Sequence, residues 1–248
     1  MMGLEGKILS LTSRNLLLLL AFILIISCGG KGKEQVLSSQ GTGSNSLLVI
    51  ARVTATNIFH DGSNAPEKFI TRFRVDIKDK AKEPVTGADV TFTGSFGTIS
   101  LKEEPHDSGR YVNTLVGHHL IYTLFVQSNS DYIKEAFCSG PDIHAITFPA
   151  TGTSVSPDTP LTIQWTRTTE AEKVLVKTSN FDSSEAGPPA NDTGTYTIPL
   201  YAFPSLSTTT TEEVTVTRGN DVDLTTSGVP GSSLTVEVEN SVSFHLGQ

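Results

Sequence analysis

The stretch FITRFRVDI, residues 69–77, alternates without a break. Phe69, Thr71, Phe73, Val75 and Ile77 fall on one face, and Ile70, Arg72, Arg74 and Asp76 on the other. Successive side chains of a strand point to opposite faces, so a period of two describes a strand buried on one side and wet on the other. A slip of one residue would turn the apolar set to solvent, which pins the register. HLIYTLFVQ (119–127) repeats the pattern with Leu120, Tyr122, Leu124 and Val126. SLTVEVENSVSFHL (233–246) keeps Leu234, Val236, Val238, Val242, Phe244 and Leu246 in phase.

Working outward, further strands are expected at LLVIARVTA (47–55), ADVTFTG (88–94), GTISL (97–101), GRYVNTLV (109–116) and YIKEAFC (132–138). In the second half they are expected at HAITFP (144–149), PLTIQWT (160–166), KVLVKT (173–178), GTYTIP (194–199), EEVTVTR (212–218) and DVDLTT (221–226). No stretch beyond Ser46 carries a sustained helical stripe. Six or seven short strands in each half of about 100 residues is the size and spacing of a β-sandwich. Gly140 and Pro141 in CSGPD (138–142) interrupt the pattern. The expected fold is therefore all-β: two tandem immunoglobulin-like sandwiches, 47–140 and 143–248.

Both halves contain D-x-G-x-Y, as Asp107-Ser-Gly-Arg-Tyr111 and Asp192-Thr-Gly-Thr-Tyr196. This resembles the tyrosine corner of immunoglobulin-like domains, whose Tyr hydroxyl bonds back to the main chain. The cysteine of those domains is absent two residues on, being Asn113 and Ile198. With Pro84-Val-Thr-Gly-Ala-Asp-Val-Thr-Phe92 and Tyr122-Thr-Leu-Phe-Val126, the first half resembles bacterial Ig-like and carboxypeptidase-regulatory-like modules, which implies a spacer or adhesive unit. The second half, through Ile146-Thr-Phe-Pro149, Leu161-Thr-Ile-Gln-Trp165 and Gly194-Thr-Tyr-Thr-Ile-Pro199, is similar to the Kre/KNH-type extracellular domain of cell-wall-associated proteins. The likeness fades after residue 200.

At the other end, eleven apolar residues, 16–26, stop at Ser27 and Cys28. A spanning helix needs about 20 such residues. Eleven, preceded by Lys7 and Arg14, suit the apolar region of a secretory signal. Ile25-Ile26-Ser27-Cys28 resembles the lipobox of bacterial lipoproteins, which implies cleavage after residue 27, lipidation of Cys28, and a place in the bacterial cell envelope, on the outer membrane or cell surface. Two or more acyl chains anchor stably where one is marginal. Residues 28–46, rich in Gly and Ser, then read as the lipidated cysteine and a flexible tether with a reach of about 25 Å.

The whole chain carries 18 basic and 26 acidic residues, a net charge of −8. Loss of residues 1–27 removes Lys7, Arg14 and Glu5 and leaves −9. An acidic chain without a basic stripe has no electrostatic footprint for nucleic acid. With Cys28 acylated, Cys138 has no disulfide partner within the chain and is expected to be a buried small hydrophobe.

Catalytic spacings are missing: no G-x-S-x-G, phosphate loop, H-E-x-x-H or dinucleotide fingerprint occurs. His118 and His119 cannot both face one metal from a regular strand. Asn220-Asp-Val-Asp223 reads as a turn, and Glu103, Glu104 and Asp107 as a solvated loop. No catalytic residue, metal or cofactor is expected. Trp165 is in phase with Leu161 and Ile163 and is expected in the core. Tyr201 and Phe203, bracketed by Pro199 and Pro204, form the candidate contact loop, because proline cannot complete a central ladder. The reading is a non-catalytic, membrane-anchored structural, adhesive or partner-binding lipoprotein. The alternative is a saccharide- or cell-wall-binding envelope component. The partner is a protein or a polysaccharide that the sequence leaves unnamed.

Overall fold

The alternating stretch at 69–77 is strand β4, Phe69–Lys78, with Phe69, Thr71, Phe73, Val75 and Ile77 all buried. It lies in a nine-stranded sheet, seen in a computed structural model that describes residues 36–187, 189–200 and 209–247. The order is β15 (Phe181–Asp182), β14 (Lys173–Thr178), β17 (Thr210–Asp223), β18 (Ser233–Leu246), β3 (Leu48–Asn57), β4, β8 (Asp107–Val116) and β7 (Lys102–Glu104), with β12 (Ser154–Val155) beside β18. Neighbours run antiparallel except β18 with β3 and β12 with β18. A six-stranded sheet orders β1 (Ser38–Ser39), β10 (Asp131–Ser139), β9 (Ile121–Ser128), β5 (Asp89–Gly94) and β6 (Gly97–Ser100), and β2 (Thr42–Gly43) also pairs with β10. A three-stranded sheet orders β11 (Ile146–Phe148), β13 (Leu161–Trp165) and β16 (Thr195–Ile198).

Two cores result. In the first, Val49, Phe73, Val75 and Tyr111 of the large sheet meet Phe92, Tyr122, Leu124 and Ile133 of the six-stranded sheet. Phe73 packs 5.1 Å from Phe92 and 5.8 Å from Tyr122, ring centre to ring centre. In the second, Val174, Val176, Val214, Val216 and Phe244 meet Leu161, Ile163, Trp165 and Ile198 of the three-stranded sheet. The chain is all-β, and each core is a sandwich between two sheets.

The expected partition at residue 140 differs from what the strands do. β17 and β18 pair over all fourteen residues, from Thr210↔Leu246 to Asp223↔Ser233. At about 3.4 Å per residue each spans roughly 45 Å. That length backs both cores. Val214, Val216, Val242 and Phe244 serve the second core, while Val222, Leu224, Leu234 and Val236 serve the first. Residues 47–140 thus supply most of the first core, Val222, Leu224, Leu234 and Val236 from the chain's far end complete it, and the described residues from 36 onward fall in one compact unit. Asn220–Asp223, expected as a turn, is the end of β17, and DVDLTT continues that strand instead of forming its own.

The expected flexible tether also differs. From residue 36 the chain is fastened to the edge of the six-stranded sheet: Ser38 pairs with Cys138, Ser39 with Phe137, and Gly43 with Ile133. Gly composition reads as flexibility in sequence, but here it permits close approach. A Cβ on Gly43 would stand 1.8 Å from the Ser227 carbonyl oxygen, and one on Gly41, at φ +68°, would stand 2.1 Å from that of Lys134. Gly43→Ala is expected to destabilise by about 1–3 kcal/mol, the usual cost of overpacking. Denaturant melts and loss of amide-exchange protection over residues 36–46 would check this.

Candidate functional site

The face of β17 that carries Val214, Val216 and Val222 inward also carries Arg218 and Asn220, and both are buried. Arg218 has no exposed surface. Its Nε and Nη2 donate to Asp192 Oδ2 at 2.9 and 2.7 Å, and Nη1 donates to the carbonyl and Oδ1 of Asp142 at 2.8 and 2.9 Å. Asp192 also accepts from Trp165 Nε1 at 3.0 Å and from the Ala171 N–H at 2.9 Å. Asp142 accepts the N–H and hydroxyl of Thr168, both at 2.8 Å. Burial pushes the Asp142 carboxyl up, but the Arg218 charge and the Thr168 bonds outweigh it and hold the group well below the usual carboxylate range.

The next rungs continue the polar seam between the two apolar cores. Asn220 Nδ2 donates to the Ser139 carbonyl at 2.8 Å, and Asn240 Nδ2 donates to that of His144 at 2.6 Å. Asn57 Nδ2 meets Asn240 Oδ1 at 3.0 Å. His144 Nε2 lies 3.2 Å from the Val216 carbonyl, while Nδ1 has no partner. Burial, helped by the Arg218 charge, pushes this imidazole down to about 3. The seam therefore ties residues 139–144 and 166–172 to the long strands. Arg218, Asp192, Asn220, Asn240 and His144 are buried and Asp142 is partly so, and apart from His144 Nδ1 their polar groups are engaged within the seam, so its chemistry is structural.

The residues singled out from sequence are dispersed. Tyr111 is buried, donating its hydroxyl to the Val85 carbonyl and accepting from the Ala88 N–H, both at 2.9 Å. Tyr196 is half-buried on β16, its ring 6.0 Å from Phe181. The two motif glycines, Gly109 and Gly194, share the left-handed backbone region at φ +77° and +82°. Their aspartates diverge: Asp107 pairs with Arg110 at the surface, and Asp192 sits in the buried seam. Trp165 is in the second core. Cys138 is fully buried, and burial pushes its thiol up to about 12. Cys28, Tyr201 and Phe203 lie outside the described residues.

His118 and His119 lie on the turn between β8 and β9 and diverge. His118 Nε2 bonds the Pro141 carbonyl at 3.0 Å, and His119 Nδ1 meets Ser95 Oγ at 2.8 Å. Burial pushes His118 down to about 4. Glu103, expected in a solvated loop, accepts from the N–H groups of Gly87 and Gly109, both at 2.9 Å, and these bonds lower its carboxyl.

The nearest approach to a catalytic grouping is His60 with Ser241 and Glu213. Ser241 Oγ stands 2.7 Å and Glu213 Oε1 3.0 Å from the same nitrogen, Nδ1. A proton relay needs the base and its orienting carboxylate on opposite ring nitrogens, so this arrangement is not one. Among the described residues no three His, Cys, Asp or Glu side chains group as metal ligands.

Two recesses lie on the surface of the described residues. An apolar groove of about 190 Å³ is lined by Val36, Leu37, Leu120 and Ile121 beside Ser139 and Thr169. A polar trough of about 510 Å³ lies on the outer face of the large sheet, across β18, β3, β4 and β8. Its floor includes Arg52, Arg72, Arg74 and Thr54, with Glu237 and Glu239 along one side.

Sequence reading missed Arg218. The signal was present as an arginine in phase with Val214, Val216 and Val222, on a face that buries. The partners Asp142 and Asp192 were invisible because they come from distant loops.

No family model matches the sequence, and no curated protein matches it. Among solved structures, the chain is similar to fibronectin(III)-like modules of Clostridium thermocellum CbhA, with 15% identity over 86% of this chain and 95% of that chain and a TM-score of 0.28.

Arg218→Ala would leave the buried Asp192 and the partly buried Asp142 without their cation and is expected to cost about 3–5 kcal/mol, measured by denaturant unfolding. Acid should weaken the fold as well. His118 and His144 take up protons near 6.5 when unfolded but only near 4 and 3 when folded. Their contribution is fully present above pH 6.5 and is lost as pH falls toward 3. The melting temperature should drop across that window, and less steeply in His118→Asn.

Proposed function

We propose that the chain is a bacterial lipoprotein, anchored through Cys28 to an envelope membrane, whose double sandwich serves as a non-catalytic structural, adhesive or partner-binding module. The observation that carries this reading is the run at 16–26 closing on Ile25-Ile26-Ser27-Cys28, only a few residues before the chain is fastened to the folded unit at Leu37 and Ser38. The buried ionisable groups support the module reading. Asp142, Asp192 and Arg218 bind one another, and His144 bonds a strand carbonyl. None of them is held toward an open cleft, where a catalytic group would have to stand.

A second reading, a saccharide- or cell-wall-binding envelope component, is favoured by the trough on the outer sheet face. There charged and hydroxyl side chains line a recess whose volume lies within the range of small-ligand clefts.

Cells expressing the wild type in labelled palmitate should yield a labelled protein in the membrane fraction. Cys28→Ala should carry no label and either leave that fraction or stay unprocessed. Processing and fractionation like the wild type would refute the anchor. Protease shaving of intact cells then separates a surface-exposed protein from one facing the periplasm.

A further inference from the structure

The outer face of the large sheet can be laid out as a grid from its register. One row runs Thr235, Arg52, Arg74 and Val112; the next runs Glu237, Thr54, Arg72 and Thr114; the third begins Glu239 and Thr56. Side chains directly opposite on one face of a strand pair stand about 4.5–5.5 Å apart at Cβ, and like charges there are destabilising. Arg52 and Arg74 are directly opposite each other. Their local compensation is partial. Arg74 Nε bonds Asp76 at 2.8 Å, whereas Arg52 reaches Glu237 only at 3.9 Å. Arg72 has no carboxylate within ion-pair distance among the described residues. The trough thus sets three guanidinium groups, Arg52, Arg72 and Arg74, beside the carboxylates of Glu104, Glu237 and Glu239, and leaves Arg72 outside ion-pair distance of all three.

From this we infer that the trough binds a saccharide chain bearing carboxylates, a uronate-type glycan. Guanidinium groups match carboxylates in planar, two-point geometry, and Arg72 and Arg52 have that capacity uncommitted or only loosely engaged. Glu237 and Glu239, on the adjacent strand, only accept hydrogen bonds when ionised. Glu237 is buried and lies 3.6 Å from Lys173, whereas Glu239, which accepts the Thr56 hydroxyl at 3.1 Å, keeps lone pairs for sugar hydroxyls, and the hydroxyls of Thr54 and Thr114 can both give and accept. An acidic peptide would bring carboxylates but few donors for Glu239 and few hydroxyls for Thr54 and Thr114. The inference rests on the partner-binding reading above and names the partner's chemistry.

The test uses the purified full chain and a galacturonate pentamer, titrated calorimetrically, with the fully methyl-esterified pentamer and a glutamate pentapeptide as controls. The uronate should bind in a salt-sensitive manner, and the two controls should not. Arg72→Ala and Arg74→Ala should each weaken binding about tenfold, equivalent to about 1.4 kcal/mol, and Arg72→Glu should abolish it. Both side chains are exposed to solvent, so the melting temperature should hold and report an intact fold. Equal binding of the ester, competition by the glutamate peptide, or no binding of the uronate would each overturn the inference. Capture of envelope polysaccharide on immobilised protein separates the two levels. Undiminished capture by Arg72→Glu would remove the trough and leave the binding module standing, while no capture of any envelope material by the wild type would remove both.

Discussion

The structure depends on one ladder: β17 paired to β18 over fourteen consecutive residues. Every other large element is placed by it. β3 joins β18 in parallel and brings β4 and β8 into the same sheet, while β14 joins β17 on the other side. The two smaller sheets then cover different lengths of one continuous inner face. A ladder this long is stable only if its buried face is covered throughout, and the two apolar cores leave a stretch in the middle where they do not meet. That stretch is where Arg218, Asn220 and Asn240 sit.

A buried charge is weak as a source of net stability, because removing it from water offsets most of what its partners return. Its effect here lies in geometry. Arg218 reaches Asp142 in the segment joining the halves and Asp192 ahead of β16, and Trp165 is oriented through the same carboxylate. An apolar side chain at 218 could fill the space but would not select these loops over others. The polar rungs therefore fix which loops close over the seam, and they deny the two sandwiches an independent hinge.

Much of this was legible in the alternating pattern. Strands announced by period two, such as 69–77 and 161–165, formed where expected, because burial on one face leaves a mark on every second residue. What the sequence hid were relations between distant residues. Nothing local distinguishes a strand that backs one core from a strand that backs two, so the division near Gly140 looked complete. Gly41 and Gly43 looked like slack chain because composition does not reveal that Ser227 lies against them. Of the candidate site, Arg72 and Arg74 stand on the outer phase of 69–77 in the sequence, while Arg52 was not singled out. Their convergence was not visible, since it depends on the β3–β4 register that sets Arg52 against Arg74 and on the parallel pairing that brings Glu237 alongside Thr54.

The same constraint bears on the recognition proposed for the outer face. The inner face of the large sheet is committed along its length: each residue there meets a core or the seam, and substitution is felt as a cavity or an unpaired group. The outer face carries no such duty. Its side chains alternate with the buried ones, so they can change without disturbing the fold. A partly compensated arrangement such as Arg52 opposite Arg74 is not required by packing. Tertiary structure supplies a rigid, twisted floor, and the charges placed on it are free to be set by a ligand. A sheet without a hinge also holds those charges at constant spacing, so little of the binding free energy is spent on ordering the site.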